Sequence, residues 1–561
     1  MPELFSLAEH AWLPVALASG RRVLVRPRDI GQPHEGEPIQ RIATGRPDCD
    51  ISLAEFLIGL LTVAMSPRDA DEWAERYHRP PSTGDVEAAL APFADALVLD
   101  GEGPRFFQDR DDLDGEPGPI SGLLIDAPGA STLRDNADHF VKRGGVEVLS
   151  RAGAAMVLAT LQTMAPSGGA GHRTSPRGGG PMSTLVVPGT PIGSEPILWQ
   201  RLWTNVPLEA RASPQDAPRI FPWLGPTRVS DKSGVTTTPE HVSRLQAFFG
   251  MPRRIRLVFE SNTEHKPCDL LGHVDEVIVR GYVTRPWGTN YVAWDRAHPL
   301  SPYYKPKPKE PEFLPVHLQS SRVSYREWLP LIYARKDPSN NYTRLPAACV
   351  DQFKRHGSDL LGDKTSRRNT RLLAAGYAMD NMKPLDFGEA LLPLIFASTP
   401  DGNERLAGIA QDMLSAAGDV VYQLTASVKL GLYGERSKAA NDSAVLGPVR
   451  DRFWAETETA FYDVLHSTAD SVDMAGEEWI DRKEDVRARL GEDWRKHLQQ
   501  RALVIFDDTV PIDSAASDRI KDIVNARKFL VLALEGYGKA GAALFKTLGL
   551  VAPKPKKGGT K

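Results

Sequence analysis

The run Pro166-Ser-Gly-Gly-Ala-Gly-His-Arg-Thr-Ser-Pro-Arg-Gly-Gly-Gly-Pro181 holds six glycines and two arginines, Arg173 and Arg177. No helix persists through that composition. Glycine lacks the Cβ that keeps other residues off a crowded surface, so this backbone can approach a ligand closely. Exposed N–H groups in such a loop suit an anion or a groove edge, and guanidiniums beside them suit phosphate. The residues from Glu147 to Met164 are rich in Ala, Leu and Met and read as a helix that Pro166 stops. Ser183 to Val187 reads as a buried strand. The order is therefore helix, loop, strand. A Walker loop needs strand, loop, helix and a Gly-Lys-Ser/Thr, whereas the nearest match here is Gly171-His172-Arg173-Thr174. A dinucleotide fingerprint fails on the same topology. Two readings of the run stay open: a nucleic-acid-facing backbone loop, and a long surface connector without a ligand.

Working outward, the segment from Phe140 to Gly180 carries Lys142, Arg143, Arg151, Arg173 and Arg177 against one acid, Glu147. The whole chain is slightly acidic, at −4 over 561 residues. That excludes a global polycation and leaves room for a local phosphate-binding patch. Hydrophobic residues make up 41%, enough for a large core and several domains. Three distant cysteines, Cys49, Cys268 and Cys349, suggest no disulfide framework. The N-terminus has no signal-like core, and the longest apolar run, Leu53 to Met65, is too short to span a bilayer and contains Glu55. A cytoplasmic protein without a membrane partner is expected.

Upstream, Phe5 to Leu7, Trp12 to Val15 and Val23 to Val25 read as short strands. Ser52-Leu-Ala-Glu55 reads as a capping box opening a helix to about Met65, and Asp85 to Leu97 as a second helix. Asp109, Asp111, Asp112 and Asp114 lack the spacing of a calcium loop. Downstream, Arg256 to Phe259 and Glu276 to Val279 read as strands. His265, Cys268 and His273 between them fit a plain hairpin better than a zinc site, which would need a fourth ligand. After about residue 385 the apolar positions Leu406, Ile409, Met413, Leu414, Val420, Val421, Leu424 and Val428 recur at helical spacing. Val449 to Thr468, Glu477 to Phe506 and Ser514 to Leu548 read as further long helices, and four such helices suggest an antiparallel bundle. The expected organisation is α+β: a large mixed N-terminal α/β body over 1–384, a C-terminal four-helix bundle over 385–552, and a disordered basic tail over 553–561.

Catalytic signatures are absent from the sequence. It contains no H-E-x-x-H, no G-x-S-x-G and no clustered Cys/His set. His172 has no orienting partner nearby in sequence, and Asp507-Asp508 lies at a helix end. No catalytic residue, cofactor or metal is expected.

Four features together resemble the CasA family, the large subunit of the type I-E CRISPR Cascade surveillance complex. They are Trp12-Leu-Pro-Val15, Pro104-Arg-Phe-Phe-Gln108, the run from Ala165 to Val186, and the order of an α/β body before a helical bundle. The resemblance implies a non-catalytic subunit. It would touch the guide RNA handle, read the protospacer-adjacent motif (PAM) of double-stranded target DNA in the minor groove, help open the duplex, stabilise the R-loop and dock the effector helicase-nuclease. It also implies partners: the other Cascade subunits, the CRISPR guide RNA, target DNA and that nuclease. Residue by residue, Phe140, Val141, Lys142 and Arg143 correspond to the guide-handle and seating loop. Ser167, Gly168, Gly169, Ala170, Gly171, His172 and Arg173, with Arg285, correspond to the PAM-reading site. Asp380, Asn381, Met382 and Lys383 correspond to a wedge that parts the duplex. Arg501, Arg519, Lys521, Arg527 and Lys528 are candidates for holding the displaced strand. Two alternatives of other classes are a phosphate-utilising enzyme built on the same Gly/Arg loop and a purely architectural protein-binding subunit.

Overall fold

The computed structural model describes residues 4–128, 133–135, 144–169, 171–208, 210, 212–231, 234–307, 311–319, 323–336, 341–380, 383–434, 443–475, 483–513 and 519–553. The chain divides into two compact units. One is Met1–Val323 with Pro330–Leu394, the other Ser324–Leu329 with Ile395–Lys561.

The first unit opens with strands β1 (Phe5–Ser6), β2 (Leu13–Leu17), β3 (Arg22–Val25) and β4 (Ile39–Ile42). Helices α1 (Pro47–Met65), α2 (Ala70–His78) and α3 (Thr83–Leu90) follow, then β5 (Val98–Asp100), β6 (Gly118–Pro119) and β7 (Leu149–Ser150). Helix α4 (Arg151–Met164) and β8 (Ser183–Val187) flank the glycine run. Beyond lie α5 (Leu198–Trp203), β9 (Arg254–Ser261), β10 (Val277–Arg285), β11 (Tyr303–Tyr304), β12 (Leu314–Pro315) and α6 (Tyr325–Ile332), whose residues up to Leu329 belong to the second unit. The unit ends with β13 (Arg335–Lys336), β14 (Tyr342–Leu345), α7 (Ala348–Leu361), β15 (Arg371–Asp380) and β16 (Lys383–Pro393). Three sheets matter below, all antiparallel: β9 and β10 with β6 and β7, β12-β11-β14-β13, and β16-β15-β8.

Helix α1 is apolar on nearly every side and is buried from Cys49 to Val63 apart from Asp50, as an all-round hydrophobic helix must be. Its start corrects the capping-box reading. Pro47 takes the first helical position, where its missing N–H costs nothing. Ser52 therefore lies inside the helix and donates to the Asp48 carbonyl at 2.9 Å, while Glu55 is buried. Ser52-x-x-Glu55 matched a capping pattern by spacing alone. Helix α4 is the capped one: Ser150 accepts from the Gly153 amide at 3.1 Å, so the helix begins at Arg151 and not at Glu147.

The core of this unit joins two of the sequence features. Trp12 packs edge-on against Phe56 and Phe106, with ring centroids 6.2 Å apart in each case, and Phe107 packs on Trp223 at 4.4 Å. Each such ring, fully buried, contributes about 1.5–3 kcal/mol, and each favourable pair about 0.5–1.5 kcal/mol more. Gln108 is fully buried; it donates to the Leu99 carbonyl at 2.9 Å and accepts from the Leu257 amide at 3.0 Å, tying β5 to β9. The acidic loop is occupied by arginines: Asp109 and Asp111 pair with Arg254, and Asp112 with Arg256. Cys268 and His273 close a hairpin, Cys268 donating its amide to the His273 carbonyl at 2.8 Å. Among the described residues no three His, Cys, Asp or Glu side chains gather as a metal site.

The second unit contains α8 (Pro400–Tyr433), α9 (Ser443–Ala475), α10 (Lys483–Thr509), α11 (Ile520–Leu534) and α12 (Gly538–Thr547). Thr399 caps α8 by accepting from the Gly402 amide. Tyr325 and Trp328 pack on Phe461, and the Tyr325 hydroxyl meets Thr457 at 2.7 Å, so Ser324–Leu329 belongs to this unit. The expected fourth helix over 514–548 is instead two helices. Gly536 and Gly538 adopt φ of 87° and 72°, which stops one and starts the next. The division between units falls at Leu394/Ile395, not at 384/385, because β16 runs on to Pro393 paired with β15. The tail from residue 554 lies outside the described residues. Among those described, no single helix is long and apolar enough to cross a membrane.

Candidate nucleic-acid interface

Ala165 leaves α4 with extended geometry (φ −57°, ψ 133°), as the residue before a proline must. The chain then makes a narrow turn. The Gly168 amide donates to the His172 carbonyl and the His172 amide to the Gly169 carbonyl, each at 3.2 Å. Gly168 and Gly169 are exposed at its tip, Ser167 is half-buried beside them, and Ala170 lies outside the described residues. A Cβ built on Gly169 would meet no protein atom within 4 Å. Gly171 is the opposite case: its φ is +75°, and a Cβ there would fall 2.7 Å from the Trp287 ring. Only glycine fits at that position.

Residues from other elements pin this turn. Arg253, entering β9, donates through Nη2 to the Pro166 carbonyl, and its amide donates to Gln162 Oε1 at 3.0 Å. On the other arm, the Trp287 amide donates to the Gly171 carbonyl at 3.0 Å. The Arg173 guanidinium lies 5.6 Å from the Trp287 ring centre and donates through Nε to Ser230 Oγ at 3.0 Å; the Ser230 amide donates to the Trp287 carbonyl. Burial pushes the Arg253 pKa down to about 10, leaving it charged at neutral pH. Burial and the Arg253 charge both push His172 below its ordinary value, so its imidazole is neutral there. His172 is a wall of the turn.

Arg177 departs from the phosphate-binding expectation. It is 2% exposed and donates through Nη1 to Glu55 Oε1 at 3.0 Å, to Ser183 Oγ at 2.9 Å and to Ser301 Oγ at 3.1 Å. Its second nitrogen also meets the Glu55 carboxylate. The guanidinium is consumed inside the protein and anchors the loop to α1. Gly179 and Gly180 likewise serve packing: added Cβ atoms would lie 2.5 Å from Pro166 Cα and from Met379.

Arg285 ends β10 two residues before Trp287, is exposed, and has no ion-pair partner among the described residues. Its neighbours Arg254 and Arg256 are neutralised by the aspartates named above, which leaves Arg285 and Arg173, with the buried Arg253, as cations near the turn among the described residues. The β15–β16 hairpin shares a sheet with β8, the strand into which the glycine run leads. Gly180 sits against Tyr377 and Met379 of β15, so the hairpin lies beside the loop. Asp380 and Lys383 are a register pair at its end. Asn381 and Met382 lie outside the described residues, as do Phe140, Val141, Lys142 and Arg143.

Within the bundle, the five candidate cations divide. Arg501 of α10 approaches Glu456 of α9 at 3.9 Å. Arg519 donates to the Gly431 carbonyl at 2.7 Å and lies 3.8 Å from Asp522. Arg527 is held by both oxygens of Asp507, at 2.7 and 2.9 Å. Lys521 and Lys528 are exposed, and neither has an ion-pair partner among the described residues.

Arg253, Trp287 and Ser230 hold the turn in place and were not singled out by the sequence patterns, and Glu55 was read there as a cap and not as the partner of Arg177. Two carried a signal. An acid inside an apolar run, as Glu55 is, needs a buried partner. Pro286-Trp287-Gly288 marks a turn, and Trp287 has φ +65°, rare for a bulky residue.

The family model described as CRISPR-associated protein Cse1 matches residues 6–505. Among solved structures, the chain is similar to CasA of Thermus thermophilus, with 20% identity, a TM-score of 0.67, and 94% of this chain and 99% of that one covered. Cse1 of Acidimicrobium ferrooxidans matches at 18% identity and a TM-score of 0.66, covering 97% and 100%. A chain of a structure described as a CRISPR RNA-guided surveillance complex matches at 14% and 0.60, covering 94% and 100%.

Proposed function

The chain belongs to the CRISPR-associated Cse1 family, and from that premise we propose that it is the non-catalytic large subunit of a type I-E Cascade surveillance complex that reads the PAM of double-stranded target DNA. The observation that carries the reading is the pinned turn at Gly168–Gly169. It offers bare backbone to solvent, with no protein atom within 4 Å of where a Gly169 side chain would begin. The minor groove presents a degenerate acceptor pattern, so a backbone loop reading it would accept a few related motifs. Arg173 and Arg285 would hold the adjoining phosphates. The hairpin end at 380–383 would enter the opened duplex, where unstacking costs about a few kcal/mol per step. Guide pairing would supply sequence fidelity, as in another RNA-guided effector. Residues 140–143 would seat the subunit on the guide RNA handle. The bundle would hold the displaced strand through Lys521 and Lys528, and the chain would dock the helicase-nuclease.

The test is duplex binding by the reconstituted guide complex, with and without this chain, across a randomised three-base motif beside a fixed target. Motif preference should appear only with the chain present. It should collapse with Gly169→Asp, while binding to single-stranded target persists. Preference that survives removal of the chain, or equal loss on both substrates, overturns the reading.

A further inference from the structure

The sheet β12-β11-β14-β13 carries a feature with no part in the site above. Its register sets Leu314 beside Tyr304, Tyr304 beside Arg344, and Arg344 beside Arg335, one row across all four strands. Next to that row, Lys336 pairs with Tyr342. Arg335, Lys336, Tyr342 and Arg344 are all exposed. Arg344 and Arg335 are therefore direct cross-strand neighbours, with Cβ atoms about 4.5–5.5 Å apart, where like charges destabilise a sheet. On the β9–β10 sheet, by contrast, Arg254 and Arg256 meet Asp109 and Asp112. Here, among the described residues, neither guanidinium nor the Lys336 ammonium has an acidic partner. Partial desolvation of its guanidinium and the charge of Arg344 both lower the Arg335 pKa. An anion placed between the two guanidiniums would relieve the repulsion and take the planar, two-point hydrogen bonding that arginine offers phosphate.

The rings narrow the class of anion. The Arg344 guanidinium lies 5.8 Å from the Tyr304 ring centre and the Lys336 ammonium 4.9 Å from that of Tyr342, which is 47% exposed. Cations beside aromatic rings on a sheet, Tyr342 exposed and Tyr304 half-buried, suit a polyanion whose charges alternate with flat bases. A duplex keeps its base faces inside the stack, so the fit is to a single strand. We propose that this sheet face binds single-stranded nucleic acid, with backbone phosphates on Arg335 and Arg344 and bases stacked on Tyr304 and Tyr342. The site is separate from the glycine loop and does not rest on the role given to that loop.

The experiment is fluorescence anisotropy with the full chain and labelled thymidine or uridine oligonucleotides of about 20 nucleotides, longer than one aromatic-basic site. Arg335→Gln/Arg344→Gln should weaken binding about tenfold and reduce the log–log salt slope by about 1.4, the value for two phosphate contacts on a single strand. Tyr342→Ala should weaken binding about fivefold or more, as loss of one stacked base does. Melting of the double arginine variant should be no lower than wild type, because a repulsion has been removed. Loss confined to thymidine supports the site and identifies a displaced DNA strand; loss confined to uridine supports it and identifies the guide. Unchanged affinity and slope overturn the proposal, as does a loss accompanied by lower melting, which marks a structural role. Tighter binding to a duplex of the same length overturns it as well.

Discussion

Arg173 and Arg177 stand four residues apart in one glycine-rich loop, and the structure gives them opposite work. Arg177→Met is the perturbation that separates them. Arg177 and Glu55 are each 2% exposed, and the guanidinium also satisfies Ser183 and Ser301. Methionine fills similar space but strands the Glu55 carboxylate in the core. Breaking such a pair from one side costs about 3–5 kcal/mol. The first unit spans roughly 390 residues, so at about 2.1 cal/mol/K per residue its unfolding entropy is about 0.8 kcal/mol/K. The expected fall in its melting temperature is therefore about 4–6 °C. Differential scanning calorimetry of the full chain measures it. Glu55→Leu/Arg177→Met removes both charges and should recover most of the loss, since apolar replacement of a whole buried pair is often neutral. Arg173→Met removes only a hydrogen bond to Ser230 and a ring contact worth about 0.5–1 kcal/mol. It should melt within about 2 °C of wild type while weakening duplex binding by the assembled complex. Wild-type melting of Arg177→Met, or a double variant no more stable than the single, would refute the anchoring argument.

The glycines of the turn make a second contrast. Gly169→Ala should leave melting unchanged, because its Cβ meets nothing, whereas Gly171→Ala should cost at least about 1–2 kcal/mol for the left-handed backbone alone, plus the overlap with Trp287; hydrogen exchange at the His172 and Trp287 amides reads both. A third expectation concerns pH. Burial holds the His172, His298 and His317 pKa values below the ordinary value. Their folded values lie under the unfolded value of about 6.5, so the stability they contribute is complete above that pH and is lost as pH falls through the folded values. The first unit should melt lower at pH 5.5 than at pH 7.5, with proton uptake on unfolding; a flat or rising melting temperature would remove this account.

Much of this architecture was legible in the sequence because apolar patterning reports burial directly. The run from Leu53 to Met65 could only be a buried helix, and the place of the glycine run between a helix and a strand was enough to exclude both nucleotide-binding loops. The failures share a cause, which is that spacing along the chain does not say what faces what. Ser52-x-x-Glu55 has the spacing of a cap, and its glutamate answers a partner in Arg177, far along the sequence. Arg173 and Arg177 look alike until Glu55 claims one and Trp287 receives the other. The reading of one helix from 514 to 548 passed over Glu535-Gly-Tyr-Gly-Lys539, where Gly536 and Gly538 turn the chain and the apolar residues pause for only a few positions. The pins of the turn, Arg253, Trp287 and Ser230, come from three separate segments and could be brought together only by the fold.

Those pins bear on how a glycine loop can recognise anything. Fixing one residue's backbone costs about 1–2 kcal/mol, and glycine loses the most freedom of all. A tip such as Gly168–Gly169, left to order itself on a ligand, would surrender that energy from each binding event. In this chain the ordering is built in beforehand. Arg253 holds the entry to the turn at Pro166, Trp287 holds its exit at Gly171, and Arg177 fastens the following arm to α1. The glycines at 178–180 allow the close packing that this fastening requires, and those at 168 and 169 leave the backbone bare. One composition thus meets two needs. On the proposed reading, a variant that loosens a pin should weaken duplex binding as surely as one that blocks the tip, without touching the DNA. Trp287→Ala tests this, because it keeps the amide that bonds Gly171 but removes the ring beside Arg173 and the wall beside Gly171 together.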